Sequence, residues 1–265
     1  MIYMIKAYSK INIFLEIIGK TGGFHELYSL FVKINLHDEI SVVQSESFQS
    51  TYCGATIEND ILLKTHKILT KHFSTMNTNF AFEITKKIPI GGGLAGASSD
   101  AAEVMKFLLM KNNIVLTQGE LLEIGGEIGA DVPFFLCNGP MLLHGVGKEL
   151  EKPKFEIPSL WFVLHIPKYS SMTKDVFAKI QPPYTQYIPV KSFDDCISKG
   201  NDMFLPANEL SQNVIQASIE KLSQDENAVK VQMSGSGSAC FAIFLNEIHT
   251  EKYHNMKDFI VCKTA

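Results

Sequence analysis

The clearest information in this chain is first what it does without. No run of apolar residues approaches the ~18 that a membrane-spanning helix needs, so none is expected to cross a bilayer. The segment Met1 to Lys10 lacks the apolar core of a secretory leader. The five cysteines (Cys53, Cys137, Cys196, Cys240, Cys262) are odd in number, far apart and never spaced Cys-x-x-Cys. That pattern argues against a disulfide framework or a zinc site and for reduced, mostly buried thiols. Runs of Lys or Arg are missing and the net charge is −4, so no nucleic-acid surface is expected. Neither an internal repeat nor a low-complexity segment occurs. What is present is 265 residues with 46% hydrophobic content, enough for one large or two smaller domains around a real core. A soluble, cytoplasmic protein is expected, with no nucleic-acid or membrane partner.

Glycine and serine gather in one stretch: Lys86-Lys87-Ile88-Pro89-Ile90-Gly91-Gly92-Gly93-Leu94-Ala95-Gly96-Ala97-Ser98-Ser99-Asp100-Ala101-Ala102. An apolar, β-rich segment (Phe80 to Ile84) precedes it, and Glu103 to Met110 reads as the buried face of a helix. Strand, glycine loop and helix start together describe an anion site, because small residues let the backbone curl with its N–H groups inward and the helix dipole behind them. A phosphate chain is the natural guest; a plain structural turn is the alternative. Three known loops are close in pattern. The Walker loop fails because Ala97 stands where its lysine belongs. A protein-kinase loop fails because no His-Arg-Asp or Asp-Phe-Gly follows. Gly91 to Gly96 satisfies G-x-G-x-x-G, but a dinucleotide site also wants an acidic residue about 20 positions on, and 110–116 holds neither Asp nor Glu.

Along the rest of the chain, Tyr3 to Ile18 predicts one long strand or a bent pair. Alternation puts Ile11, Ile13 and Leu15 on one face and Lys10 and Asn12 on the other; that second face is either solvated or turned toward a phosphate or carboxylate. Gly19 to Glu26 reads as a turn whose tip carries Phe24 and His25, a flat platform for a ring or simply local packing. Strands continue over Leu27 to Val43, with a turn at His37-Asp38. Asn59 or Asp60 caps a helix over Ile61 to Phe73. Thr117-Gln118-Gly119-Glu120 has the capping-box pattern. Asp131, ahead of Val132-Pro133-Phe134-Phe135, is either a helix N-cap or a carboxylate held rigid to accept a proton. Gly145-Val146-Gly147-Lys148 reads as a turn, and Pro153 and Pro158 bracket a boundary. A strand follows over Leu160 to Ile166, then Thr173 capping a helix over Lys174 to Ile180, and a helix over Val214 to Leu222. Val229 to Met233, Ser234-Gly235-Ser236-Gly237-Ser238 and Ala239 to Leu245 make strand, tight turn, strand.

Lys10-Ile11-Asn12 early, Pro89 to Ser99 in the middle and Ser234 to Ser238 late form an order that resembles the GHMP kinases, over about Lys6 to Leu245. Ser98-Ser99-Asp100-Ala101-Ala102 and Gly129-Ala130-Asp131-Val132-Pro133 are the specific motifs, and Gly22-Gly23-Phe24-His25 points to a member acting on a cytidine diphosphate compound. The resemblance implies an α+β, two-lobed fold: an N-terminal ribosomal-protein-S5-like domain over 1–150 that binds ATP and carries catalysis, and a ferredoxin-like αβ domain over 151–265, with the active site in the cleft. It implies transfer of the ATP γ-phosphoryl group to a tertiary hydroxyl. Matched by position, Asp131 becomes the general base and Lys10 its electrostatic partner. Asn12 lines the same pocket. Phe24 and Phe177 sandwich the cytosine, His25 bonds its polar edge, and Thr173 lies near the substrate. Pro89, Ile90, Gly91, Gly92, Gly93, Leu94, Ala95, Gly96, Ala97, Ser98 and Ser99 cradle the triphosphate, with Mg²⁺ bound mainly through phosphate oxygens. A monomer or weak homodimer is expected.

Three departures stand out against relatives. Phe24 replaces the usual Tyr. Ala95 and Ala97 stand where glycine is frequent, so positive φ is not expected there. The last loop is serine-rich. A GHMP kinase for homoserine or mevalonate is the nearest alternative, but a small aliphatic substrate needs no ring platform. A dinucleotide-dependent dehydrogenase and a non-catalytic nucleotide-binding module are the others, and neither needs a lysine and a base at the γ-phosphate.

Overall fold

The structure is a computed structural model that describes residues 2–53, 60–147 and 149–265. Asn59 and Lys148, named above as a cap candidate and a turn residue, lie outside the described residues. The chain forms two compact units, each gathered from separate segments: Met1–Ser9, Leu36–Ile88 and Ala95–Asn138 in the first, Lys10–Asn35, Pro89–Leu94 and Gly139–Ala265 in the second. Two long strands, β1 (Tyr3–Thr21) and β2 (Phe24–Gln44), are joined by the Gly22-Gly23 turn, and each contributes to both units.

In the first unit the C-terminal half of β2 pairs antiparallel with β4 (Phe80–Thr85), Ile40 opposite Ile84 and Val42 opposite Phe82; β3 (Gln49–Cys53) adds parallel to β4. Alternation buries Phe80, Phe82 and Ile84, and Phe107 meets both phenylalanines edge to face. Phe107 belongs to α2 (Gly96–Lys111), which packs with α1 (Ile61–His72) and α4 (Val132–Phe135), while α3 (Gln118–Ile128) packs on α1 and α4. The starts of α1 and α3 follow their sequence signals. Asp60 caps α1 by accepting from Leu62 N (2.7 Å), and Thr117 and Glu120 close the capping box of α3.

In the second unit the N-terminal half of β2 pairs with β5 (Met141–His144), which pairs with β6 (Glu149–Glu151). A separate antiparallel sheet runs in the order β10 (Phe259–Lys263), β7 (Trp161–His165), β9 (Cys240–Phe244), β8 (Lys230–Met233). Helices α5 (Thr173–Ala178), α6 (Phe193–Ser198), α7 (Phe204–Leu210) and α8 (Val214–Leu222) accompany it. One core joins Leu15 and Ile17 of β1 to Val163, Val176, Ala207, Ile215, Ala242 and Phe244.

Two local expectations give way here and one open alternative is decided. β2 does not turn at His37-Asp38; it runs on, and Asp38 is fully buried within it because an ion pair, described below, meets its charge. The polar face of β1 is not solvated, since Lys10 and Asn12 are 3% and 0% exposed. Thr173 is the first residue of α5 and does not cap it; its hydroxyl bonds elsewhere. Four of the five cysteines are buried and none is joined in a disulfide. Among the described residues no helix is long and apolar enough to cross a membrane.

Candidate active site

Within the second unit two glycine turns are laced together. The first, Gly91 to Leu94, needs positive φ at Gly91 (70°) and Gly93 (72°). Its carbonyls are all engaged: Gly91 O accepts from Ser238 N (3.3 Å), Gly92 O from Ala239 N (3.1 Å), Gly93 O from Ser234 Oγ (3.2 Å) and Leu94 O from Lys10 N (3.1 Å). The amides of Ile90 to Leu94 donate none of the described hydrogen bonds. A loop with its oxygens tied back and its N–H groups uncommitted is built for an anion. The approach is close enough that a methyl group on Gly93 would lie 2.2 Å from the Ser234 carbonyl oxygen.

Lys10 and Asn12 stand against the second turn. The Lys10 ammonium donates to Asn12 Oδ1 and sits 4.7 Å from the centre of the Phe31 ring. Asn12 Nδ2 donates to Ser29 Oγ (2.9 Å), whose hydroxyl donates on to Phe14 O (2.5 Å). That chain fixes which way the amide faces. A methyl group on Gly235 would lie 3.4 Å from Lys10 Nζ and 3.3 Å from Asn12 Oδ1, so the glycine turn passes close to both groups. Asn201 braces the turn from behind, donating to Met233 O (2.8 Å) and Gly235 O (2.9 Å). Ser29 and Asn201 were not legible as site residues: one is an alternating strand serine, the other a turn asparagine.

The platform residues lie in the same unit. Phe24, at the hairpin tip, is 71% exposed and makes none of the described ring contacts. His25 stacks on Phe177 (centroids 5.3 Å apart, planes at 21°) and meets Tyr184 edge to face at 6.0 Å. The structure therefore pairs Phe177 with His25, with no described ring contact between Phe24 and Phe177. His25 Nε2 is buried without a hydrogen-bond partner. Burial, then the Lys20 charge, hold its imidazole below the usual pKa, against an opposing bond to the Ile180 backbone. Thr173 Oγ1 pairs with Ser236 Oγ (2.8 Å), tying α5 to the second glycine turn.

Within the first unit α2 opens on Ala95, whose φ of 55° and ψ of 35° are left-handed. The expectation that alanine there excludes positive φ is thus corrected: Ala95 keeps the conformation that glycine would adopt, while Ala97 is not among the positive-φ residues. Ser99 N donates to Ala95 O (3.0 Å) and Ser99 Oγ to Tyr8 O (2.7 Å), whereas the amides of Ala95 to Ser98 donate none of the described bonds. These open N–H groups are the helix end that binds anions in many folds. Asp131 precedes α4 without a side-chain capping bond, so its carboxylate is not spent on the helix. Behind the start of α2 a further group appears that sequence reasoning passed over. Lys86 Nζ donates to Asp38 and to Asp100 Oδ2 (2.7 Å), all three side chains being at most 7% exposed.

Comparison with known proteins identifies this architecture. Residues 60–139 match the family model described as the GHMP kinases N terminal domain. A 4-diphosphocytidyl-2-C-methyl-D-erythritol kinase of Clostridium botulinum (strain Alaska E43 / Type E3) is 31% identical, over 96% of this chain and 95% of its own. The kinase of the same name from Nitrosomonas europaea is 32% identical, over 90% and 87% respectively. A crystal structure of 4-(cytidine 5'-diphospho)-2C-methyl-D-erythritol kinase superposes with a TM-score of 0.83 at 24% identity, covering 99% of this chain and all of that one. The Methanococcus jannaschii mevalonate kinase gives 0.69 at 16% identity, covering 100% and 99%. Fold and family model together define the class, that of the GHMP kinases with their mixed α+β architecture. Within it the chain belongs to the 4-diphosphocytidyl-2-C-methyl-D-erythritol kinase family.

Proposed function

We propose that this chain transfers the γ-phosphoryl group of ATP to the 2-hydroxyl of 4-diphosphocytidyl-2-C-methyl-D-erythritol, a step of the non-mevalonate route to isoprenoid precursors. The observation that carries the proposal is the glycine loop whose carbonyls are bonded and whose amides, from Ile90 to Leu94, are left over. Such a loop meets phosphate charge with fixed N–H dipoles that need no rearrangement when the ligand arrives.

In this reading Pro89 to Ser99 hold the triphosphate. Asp131 removes the proton of the tertiary hydroxyl as the bond to phosphorus forms, and Lys10 stabilises the charge that develops. A tertiary alcohol is a weak nucleophile, so alignment and charge stabilisation supply most of the acceleration. Asn12, bonded to Lys10, keeps the ammonium aimed. Phe24, His25 and Phe177 hold the cytosine: the unpartnered Nε2 of His25 awaits a hydrogen bond, and the exposed Phe24 ring covers the base. Thr173 contributes at the substrate from the start of α5.

Magnesium, carried by the nucleotide, is the metal this reading calls for. Among the described residues no group of three or more His, Cys, Asp or Glu is arranged to hold a metal, and Mg²⁺ characteristically relies on substrate phosphates with few protein ligands. It would ride on the phosphate oxygens and neutralise their charge. A cytoplasmic monomer or weak homodimer, without nucleic-acid or membrane partners, goes with this reading. The sequence division at about residue 150 is proposed as a division of roles, since Lys10–Asn35 pack with the C-terminal half.

The test is ADP release, followed by a coupled assay with purified protein, ATP·Mg²⁺ and each of three alcohols. Turnover with 4-diphosphocytidyl-2-C-methyl-D-erythritol and background rates with homoserine and mevalonate are expected. Equal rates with a small aliphatic alcohol would overturn the assignment.

A further inference from the structure

The Lys86 cluster ties together the two places where the glycine loop leaves and rejoins the first unit. On the entry side, Asp38 Oδ1 accepts from Lys87 N (2.5 Å) and Ile88 N (2.8 Å), the last amides before Pro89. On the exit side, Gly96 lies so close that a methyl group there would be 3.0 Å from Ile88 Cγ2 and 3.3 Å from Asp38 Oδ2. Lys86 then bridges Asp38 to Asp100, one turn into α2. Residues 88 and 96 are held together through one carboxylate, one ammonium and a second carboxylate, all buried.

The cluster is charged as well as tight. Asp38, Lys86 and Asp100 sum to −1 when both acids are ionised, and Asp100 stands one turn into α2, the helix whose opening amides are suited to an anion. Asp100 is 1% exposed and its Oδ1 has no hydrogen-bond partner, an expensive arrangement for a full negative charge. Tyr52 also feels it: burial first, then the bond to Asp60 and its charge, and after them the Asp100 charge push up the phenol, whose hydroxyl donates to Asp60. Burial first, then Asp38, push the Asp100 carboxyl up to about 7, against the pull of Lys86. Burial alone would lower Lys86, but Asp100 and Asp38 outweigh it and raise it.

We propose that Asp38, Lys86 and Asp100 are positioning residues for ATP: a buried clasp that fixes the two ends of the glycine loop and whose net charge sets how tightly the loop holds a nucleoside triphosphate. The proposal rests on the kinase reading above. As pH rises through the Asp100 titration, the clasp goes from neutral to −1 and opposes the triphosphate. Asp100→Asn keeps the shape and an oxygen acceptor for Lys86 but stays neutral.

The experiment measures ATP·Mg²⁺ affinity by calorimetry, and KM and kcat by the coupled assay, from pH 6 to 8.5. At pH 8.5 Asp100→Asn is expected to bind ATP roughly 2- to 30-fold more tightly than the unmutated protein, with the difference gone at pH 6. The nucleotide's own titration is common to both proteins and cancels in the comparison. The expected split is a change in KM for ATP, with kcat and KM for the cytidine diphosphate substrate within about twofold. The double variant Lys86→Met/Asp100→Asn removes one charge of each sign, and with the clasp cut it is expected to weaken ATP binding roughly 2- to 30-fold at every pH. A merely structural role predicts loss, never a gain, in Asp100→Asn. Affinity in that variant equal to or weaker than the unmutated protein at pH 8.5 would therefore overturn the clasp while leaving the kinase reading intact. Absence of ATP binding by the unmutated protein would overturn both.

Discussion

Asp131 is the residue on which the chemistry turns, and its surroundings separate two roles cleanly. A carboxylate that caps no helix contributes little to folding, so Asp131→Asn is expected to shift stability by less than ~0.5 kcal/mol. The same change is expected to lower kcat by ~10²–10⁴-fold if the group takes the proton. Thermal melting and turnover on one preparation check both. Ala95 offers the converse test. Its left-handed backbone costs an L-residue about 1 kcal/mol, part of which a glycine returns as unfolded-state entropy. Ala95→Gly is expected to raise Tm by roughly 1–2 °C with turnover retained; scanning fluorimetry reads it. Both residues show what a sequence can and cannot say. The Gly-Ala-Asp motif marks a position, but whether its carboxylate caps or waits depends on backbone angles that no motif encodes.

Elements were legible in proportion to how local their signals are. The capping box of α3, the Asp60 cap of α1 and the strand–loop–helix at β4 and α2 all announce themselves within a few residues. The short helices α6 and α7, the 3-10 turn at Glu247–Tyr253 and the edge strand β10 were not anticipated. They are brief and carry little periodicity. Asp38 was misread for a related reason: an aspartate beside a histidine signals a turn unless a distant lysine meets it inside a strand. Of the site, the glycine loops, Lys10 and Asn12 could be picked out; the braces Ser29 and Asn201 could not, because their partners lie 15 to 34 positions away. Two element-scale outcomes follow. Gly93→Ala drives a methyl group into the Ser234 carbonyl at a positive φ, and is expected to cost roughly 2–4 kcal/mol and to raise KM for ATP, as denaturant melts and initial rates would reveal. Also in the second unit, Asp225 accepts from Lys252 (2.9 Å), Tyr253 (2.9 Å) and Asn227 (3.1 Å), pinning the 3-10 turn. Burial would raise its pKa, but Lys252 and the Asn227 and Tyr253 bonds prevail and hold it at about 2. Being depressed, it adds stability above the ordinary carboxylate range that is lost as pH falls through about 2. Asp225→Ala is expected to cost ~1–3 kcal/mol at neutral pH and to flatten acid unfolding between about pH 4 and 2.

For the molecule as a whole, all 24 of the Lys and Arg positions are lysine. No guanidinium fork is available to grip a phosphate in two places, so the proposed chemistry relies on amides for geometry and on single ammonium groups for charge. The packing division has a separate consequence. Because Lys10–Asn35 belong with Pro89–Leu94 and Gly139–Ala265, an early stretch emerging from the ribosome has to wait for more than a hundred later residues before most of its packing partners exist. During that interval Ile11, Ile13, Phe14 and Leu15, all interior in the finished protein, have part of their packing still to gain, and transiently exposed apolar surface of this kind is what chaperones meet.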